Sequence, residues 1–153
     1  MTTETGSNRG RIVVGVDGSP SSVQALRWAL EQARLTGAPV CAVSAWDLPA
    51  SPTRLAVVED IDYWKEGART VLDGGIKDAT GDAEALPVQR EVVCGHPAKV
   101  LVDASTDASL LVVGSRGHGG FAGLLLGSVS QHVVAHASCP VVVVHTAADR
   151  EGA

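Results

Sequence analysis

Five short apolar runs rich in β-branched residues recur along this 153-residue chain, and segments with helical spacing separate them. The runs are Arg11–Val16, Pro39–Ala45, Val88–Cys94, Leu110–Gly114 and Val141–His145. Between the first two runs, Val23, Leu26, Leu30 and Ala33 repeat at the three- and four-residue spacing of one helix face. Parallel strands need a crossover connection, which is usually a helix. The alternation therefore predicts βαβ units and an α/β fold with a parallel sheet.

Residues that start or stop helices mark the connecting segments. Ser19 and Pro20 provide an N-cap and a first-turn proline for the first helix, and Gly37 ends it. The other helices are predicted over Val57–Ile76, after His96-Pro97, and over Val129–Ala137. We expect a single domain over residues 11–147, a disordered lead-in over 1–10 and a C-terminal tail over 148–153.

Composition and charge narrow the class of protein. The formal net charge of −5 argues against nucleic acid as a partner, because a polyanion is bound mainly through a basic surface. The apolar runs are far shorter than the roughly 20 residues of a membrane helix. Residues 1–11 are polar and carry no signal-peptide core. We therefore expect a cytoplasmic protein with no membrane partner. Its three cysteines are too widely spaced for a disulfide framework, and we expect them to be buried.

Topology predicts where a ligand would bind. In an open doubly wound sheet, ligands bind beyond the carboxyl ends of the strands, where the strand order reverses. For a five-stranded sheet of order 3-2-1-4-5, with helices on both faces, the reversal lies between the first and fourth strands. The segments there are Gly15-Val16-Asp17-Gly18 and Val113-Gly114-Ser115-Arg116-Gly117. One Rossmann-like crevice is thus predicted between them.

A glycine pattern begins in the second of these segments. Gly114 and Gly117 are followed, after nine residues, by Gly127-Ser128 at the start of the predicted fourth helix. Glycine lets a ligand approach the main chain, and a helix N-terminus favours anions. The pattern predicts a nucleotide-phosphate site, although glycines also serve turns alone. It is no Walker A loop, because the loop has no lysine and only Arg116 and His118 are basic.

These residues resemble the nucleotide-binding branch of the universal stress protein family. The family's Gly-x2-Gly-x9-Gly-Ser/Thr pattern is matched by Gly114, Gly117, Gly127 and Ser128, and its aspartate by Asp17. Similar turn and final-strand segments occur at Val93–Pro97 and Cys139–Val144. The resemblance covers about Arg11 to His145.

The resemblance implies an ATP site and a dimer. Asp17, with the backbone around Gly15 and Val16, would meet the adenosine, and Ala45 would line the adenine pocket. Gly114 would lie by the ribose. Gly117, Gly127, Ser128, Val129 and Ser130 would lie by the phosphates. Mg²⁺ is expected together with ATP and bound through the phosphates, with Asp17 as one candidate ligand.

Several of these residues have a simpler interpretation. Ser128 is also predicted as the N-cap of the fourth helix, and Asp17 as a cap of the turn before Ser19. Arg116 could steady a phosphate or lie in solvent. His132 and His136 have the spacing of a metal pair, but their place at the edge of the apolar stripe favours surface histidines.

The last strand predicts a homodimer. Val141–Val144 would form an edge strand, and no lysine or proline inside it blocks pairing with another chain. We expect two copies of Val141–His145 to pair antiparallel.

The function expected from the sequence is that of a dimeric, ATP-binding stress-response regulator. Cyclic AMP in the same pocket, or a dimeric interaction module without nucleotide, are the alternatives. No catalytic residue is assigned, and at most slow ATP hydrolysis is expected, because neither a base nor a loop lysine is evident.

Overall fold

The protein has the predicted α/β fold with a five-stranded parallel sheet. The computed structural model describes residues 10–47, 57–81, 87–116 and 126–146. The elements are β1 (Arg11–Gly15), α1 (Pro20–Thr36), β2 (Val40–Trp46), α2 (Val57–Thr80), β3 (Val88–Cys94), α3 (Pro97–Ser105), β4 (Ala108–Gly114), α4 (Ser128–His136) and β5 (Val141–Val144). The strands pair in the order β3-β2-β1-β4-β5, so the predicted order is confirmed. The predicted lead-in and tail lie outside the described residues, apart from Gly10.

The sheet is covered on both faces, and alternate strand residues enter two separate cores. Val14 packs with Leu26 and Leu72 beneath α1 and α2. The neighbouring Val13 packs with Leu111 and other residues beneath α3 and α4. Burying each such aliphatic side chain contributes about 1.5–3 kcal/mol. This burial on both faces explains why the strands read as continuous apolar runs.

The predicted ends of α1 are confirmed. The Ser19 hydroxyl accepts a hydrogen bond from the Ser22 amide at 3.2 Å, and Pro20 occupies the first turn. Gly37 closes the helix with a φ of 76°, and its amide donates to the Ala33 carbonyl at 2.8 Å. Helix α3 is capped by His96, whose Nδ1 accepts from the Ala98 amide at 3.2 Å.

The cysteines differ in environment. Cys41 is fully buried in β2, and this burial is the main cause that raises its pKa to about 11. Cys94 is exposed and Cys139 is half-buried, so the prediction that all three are buried is wrong. Cys94 ends β3, which lies at the edge of the sheet and has a neighbour on one side only. No helix among the described residues is long and apolar enough to cross a bilayer.

Candidate functional site

A pocket of about 110 Å³ lies at the carboxyl ends of β1, β2 and β4, beside the first turns of α3 and α4. It is lined by Gly15, Val16, Asp17, Ser22, Val43, Ala45, Pro97, Leu101, Val113, Gly114, Arg116, Val129 and Ser130. The strand order reverses between β1 and β4, so the pocket occupies the switch point that the topology predicts.

Most of the site residues predicted from the sequence line this pocket. They are Gly15, Val16, Asp17, Ala45, Val113, Gly114, Arg116, Val129 and Ser130. Gly127 and Ser128 are described, but they are not among the lining residues. Gly117 and His118 lie outside the described residues.

Four lining residues were missed by the sequence analysis: Ser22, Val43, Pro97 and Leu101. Val43 shares a strand face with Ala45 two residues later, so the period of two could have found it. Pro97 and Leu101 come from α3, and their approach to the β1–β4 crevice depends on how that helix packs. No local sequence signal reports that packing.

Asp17 caps the turn between β1 and α1. Its Oδ1 accepts hydrogen bonds from the Ser19 amide, at 2.9 Å, and from the Ser19 hydroxyl. The side chain is exposed at the mouth of the pocket. The simpler role considered for Asp17 is therefore present in the structure, and a contact with a ligand would be additional to it.

Helix α4 begins one residue earlier than predicted, and Ser128 is not its N-cap. The N-cap is Gly127, and no side chain of the described residues caps the helix. The Gly127 amide donates to the Ser115 carbonyl at 2.7 Å, which holds Gly127 in extended backbone at the helix entrance. Ser128 is thereby placed inside the first turn, with an exposed side chain. The first-turn amides of α4 therefore lack the side-chain acceptor that Ser19 gives to α1 and His96 to α3.

Gly114 is a glycine for a packing reason. A Cβ at this position would lie 2.7 Å from the backbone carbonyl carbon of Ser21 and closer still to the Ser21 hydroxyl. Real Cβ atoms do not approach backbone so closely, so any larger residue would push α1 away from β4. Part of the glycine pattern thus serves the contact between a helix and the sheet, independently of any ligand.

Gly15 has a similar constraint on the other face of the sheet. A Cβ there would lie 2.8 Å from Cδ1 of Leu101 in α3. The absence of a side chain lets α3 pack closely on β1. Leu101 thereby reaches the pocket wall.

Arg116 and Asp17 are the two charged side chains among the lining residues. The Arg116 amide donates to the Ser21 hydroxyl at 3.4 Å, and its carbonyl oxygen lies 3.5 Å from the Ser19 hydroxyl oxygen, whose proton is donated mainly to Asp17. Both contacts attach the segment after β4 to the first turn of α1. The Arg116 side chain is half-buried rather than fully solvated.

Apart from Ser22 and Ser130, the remaining side chains of the pocket wall are apolar. Val43, Ala45, Leu101 and Val113 contribute aliphatic surface from two strands and a helix. Within the described segments, no group of three or more His, Cys, Asp or Glu side chains could hold a metal ion. The site therefore joins an apolar wall to one helix N-terminus without a capping side chain.

Comparison with known proteins identifies the family. A model of the universal stress protein family matches residues 8–145. A universal stress protein of Mycolicibacterium smegmatis is 40% identical over 144 residues, which cover 88% of this chain and 47% of that protein. The chain thus spans about half the length of the curated relatives that it matches.

Solved structures agree with this assignment. A universal stress protein in complex with cAMP is 33% identical, with a TM-score of 0.67, over 90% of this chain and 98% of that one. The universal stress protein from Archaeoglobus fulgidus in complex with dAMP is 27% identical, with a TM-score of 0.53, over 88% and 97%. From its sequence match and its fold, this chain belongs to the universal stress protein family.

Proposed function

We propose that the protein is a cytoplasmic, dimeric stress-response regulator that binds an adenine nucleotide, ATP with Mg²⁺, between β1 and β4. The observation that carries this proposal is the start of α4 beside the pocket. A helix N-terminus without a capping side chain offers amide donors and a favourable field to phosphate oxygens. Related proteins solved with cAMP and dAMP support an adenine nucleotide as the ligand.

The pocket is too small to enclose a whole nucleotide, so the base and the phosphates would lie in two different regions. Its volume of about 110 Å³ is well below the roughly 300–1,000 Å³ of sites that enclose a whole ligand. The apolar wall of Val43, Ala45 and Leu101 would hold the base. The phosphates would lie outside this wall, over Gly127 and the first turn of α4. The sequence pattern adds Gly117 and His118 as candidate phosphate contacts. Arg116 would add a charge-assisted hydrogen bond.

Mg²⁺ would be bound mainly through the phosphates. Mg²⁺ in nucleotide sites is commonly held by one or two carboxylates together with phosphate oxygens and waters. The Asp17 carboxylate is exposed at the pocket mouth and could contribute one ligand, while its Oδ1 holds the turn to Ser19. The cluster of protein ligands needed to bind the ion without nucleotide is not found among the described residues.

Hydrolysis of ATP would be slow at most. Rapid phosphoryl transfer needs a positioned water and cations at the γ-phosphate. Among the described residues, the pocket lining includes one arginine and neither lysine nor histidine. The proposed role of ATP is therefore that of a bound signal.

The dimer would form through β5. The four valines are half-buried in this single chain, and β5 is the last strand of the sheet. Antiparallel pairing of Val141–His145 with a second copy would give the backbone N–H and C=O groups on the outer edge of β5 hydrogen-bond partners and extend the sheet.

Nucleotide retention tests the proposal. Protein purified without added nucleotide is denatured by heat, and the released small molecules are identified by chromatography. ATP at 100 times its Kd should stabilise the wild type by about 2.7 kcal/mol. Ala45→Phe, which fills the base pocket, should remove this stabilisation. Leu35→Ala, at an exposed position at the end of α1, is the matched control and should retain it.

Two other outcomes would change the conclusion. The relative that was solved with cAMP favours cAMP as the second candidate ligand, and displacement of labelled ATP by cAMP in the micromolar range would assign the pocket to it. If no nucleotide is retained and neither ligand shifts the melting temperature, the protein is a dimeric interaction module without nucleotide.

A further inference from the structure

Two histidines on α4 lie together on the surface, outside the nucleotide pocket. His132 and His136 are four residues apart, and both side chains are exposed. Their ring centroids are 4.5 Å apart, and the rings are tilted by 42°. The helix buries Ser130 and Val133 on another face, so neither histidine is needed for the core. The pair is accessible and has no part in the proposed nucleotide site.

The separation of the rings suits a shared metal ion. An imidazole nitrogen about 2.0–2.1 Å from a metal puts its ring centre about 3.2 Å from that metal. Two such rings have centres about 4.5 Å apart when the nitrogen–metal–nitrogen angle is 90°, whereas a tetrahedral angle separates them by about 5.2 Å. The 4.5 Å between the ring centres in α4 is compatible with adjacent ligands in square-planar or octahedral coordination.

We propose that His132 and His136 form a site for a divalent transition metal that takes Cu²⁺ or Ni²⁺ in preference to Zn²⁺. Imidazole suits all three ions, but Cu²⁺ and Ni²⁺ favour tetragonal geometry and Zn²⁺ favours tetrahedral geometry. Water completes the coordination, because the described residues hold no cluster of three metal-ligating side chains. The net charge of −5 also favours a bound cation.

Binding at this site would join two successive turns of α4. An unfolded chain does not hold the two rings at this separation, so the ion binds the folded helix in preference. The metal should therefore raise the melting temperature of the protein. This rise in melting temperature would depend on the spacing of the two histidines rather than on the number of histidines.

The test uses the full chain without an affinity tag and free Cu²⁺ or Ni²⁺ as the probe. Titration calorimetry should show one saturable site per chain. His132→Ala and His136→Ala should each weaken Cu²⁺ binding by about tenfold or more, because chelation by two imidazoles is lost. In NMR spectra, substoichiometric Cu²⁺ should broaden the imidazole signals of these two histidines before that of His96.

A spacing variant provides the matched control. The double substitution His136→Ala with Val134→His keeps two exposed histidines on α4 but separates them by two residues, on opposite sides of the helix. It should bind as weakly as the single variants. If the spacing variant or either alanine variant binds Cu²⁺ as tightly as the wild type, the metal binds elsewhere. The same conclusion follows if Cu²⁺ leaves the NMR signals of both imidazole rings sharp. Such a result, or no binding at all, overturns the proposal while leaving the nucleotide proposal intact.

Discussion

The hydroxyl of Ser130 in α4 donates a hydrogen bond of 2.6 Å to the carbonyl of Gly114 at the end of β4. Gly114 opens the glycine pattern, and Ser130 lies two residues after its last member, on the other side of the loop between β4 and α4. Ser130 is buried and Gly114 is half-buried, so the bond is partly shielded from solvent. A second bond, from the Gly127 amide to the Ser115 carbonyl, joins the same two segments. The start of α4 is thus held against the end of β4 by the protein itself.

Removal of the Ser130 hydroxyl should destabilise the fold. Ser130→Ala leaves the Gly114 carbonyl without this donor, and we expect a loss of about 1–2 kcal/mol in the free energy of unfolding. Urea denaturation measures this change in the free energy of unfolding. Ser128→Ala is the matched control, because Ser128 is exposed and caps nothing, and its effect should be within about 0.5 kcal/mol. A larger loss at Ser128 than at Ser130 would contradict the assignment of Gly127 as the N-cap.

A side chain at Gly114 should destabilise the protein even without nucleotide. Gly114→Ala forces a methyl group against the Ser21 backbone, and such overpacking costs about 1–3 kcal/mol. The measurement is denaturation of nucleotide-free protein. Adding Ser21→Gly should restore only part of the loss, because the backbone carbon 2.7 Å away is still there. Unchanged stability of Gly114→Ala would show that the glycine serves a ligand alone.

The opposite effect is expected at Gly67 in α2. This glycine lies in the helix, is exposed, and has no atom within 4 Å of the position a Cβ would take. Gly67→Ala should therefore stabilise the protein by about 0.5–1 kcal/mol, because glycine loses more backbone freedom on folding. Thermal denaturation measures it. A destabilised variant would indicate that a partner or another segment covers this face of α2.

Cys41 should be unreactive in the native protein and should make stability depend on alkaline pH. Its pKa is raised from 9.0 to about 11, mainly by burial and next by the negative charge of Glu91. Between these two values the unfolded chain loses the thiol proton and the native protein keeps it, so stability falls as pH rises. Cys41→Ala should show a smaller fall between pH 9 and 11. Thiol labelling at pH 8 should modify exposed Cys94 and spare Cys41; equal rates would contradict the burial.

The proposed dimer can be blocked without disturbing the strand ladder. The carbonyls of Pro140, directly before β5, and of Val144, at its end, accept hydrogen bonds from the β4 side. In the alternating pattern of a strand, the Val143 amide therefore points to the outer edge. Val143→Pro removes that donor, and sedimentation should show a monomer. Val143→Ala retains the amide and should remain dimeric. A dimer that survives the proline would use another surface.

Much of the fold could be predicted from local patterns. The apolar runs marked the strands because both faces of a parallel sheet are buried, and Ser19, Pro20 and Gly37 marked the ends of α1 because their chemistry is local. The position of the pocket at the carboxyl ends of β1 and β4 followed from the predicted strand order. The same local reasoning failed for Cys94, since position at a sheet edge depends on which strands are neighbours.

Residue types and their spacing, taken alone, determined the order of strands and helices and the two loops that meet at the switch point. Only the tertiary structure decided that Leu101 and Pro97 complete the pocket, that Gly114 makes room for Ser21, and that Gly127 is the N-cap of α4. The physical reason is the range of the interactions. Capping and periodicity act within a few residues, whereas close packing and the bond from Gly127 to Ser115 exist only after distant segments have met.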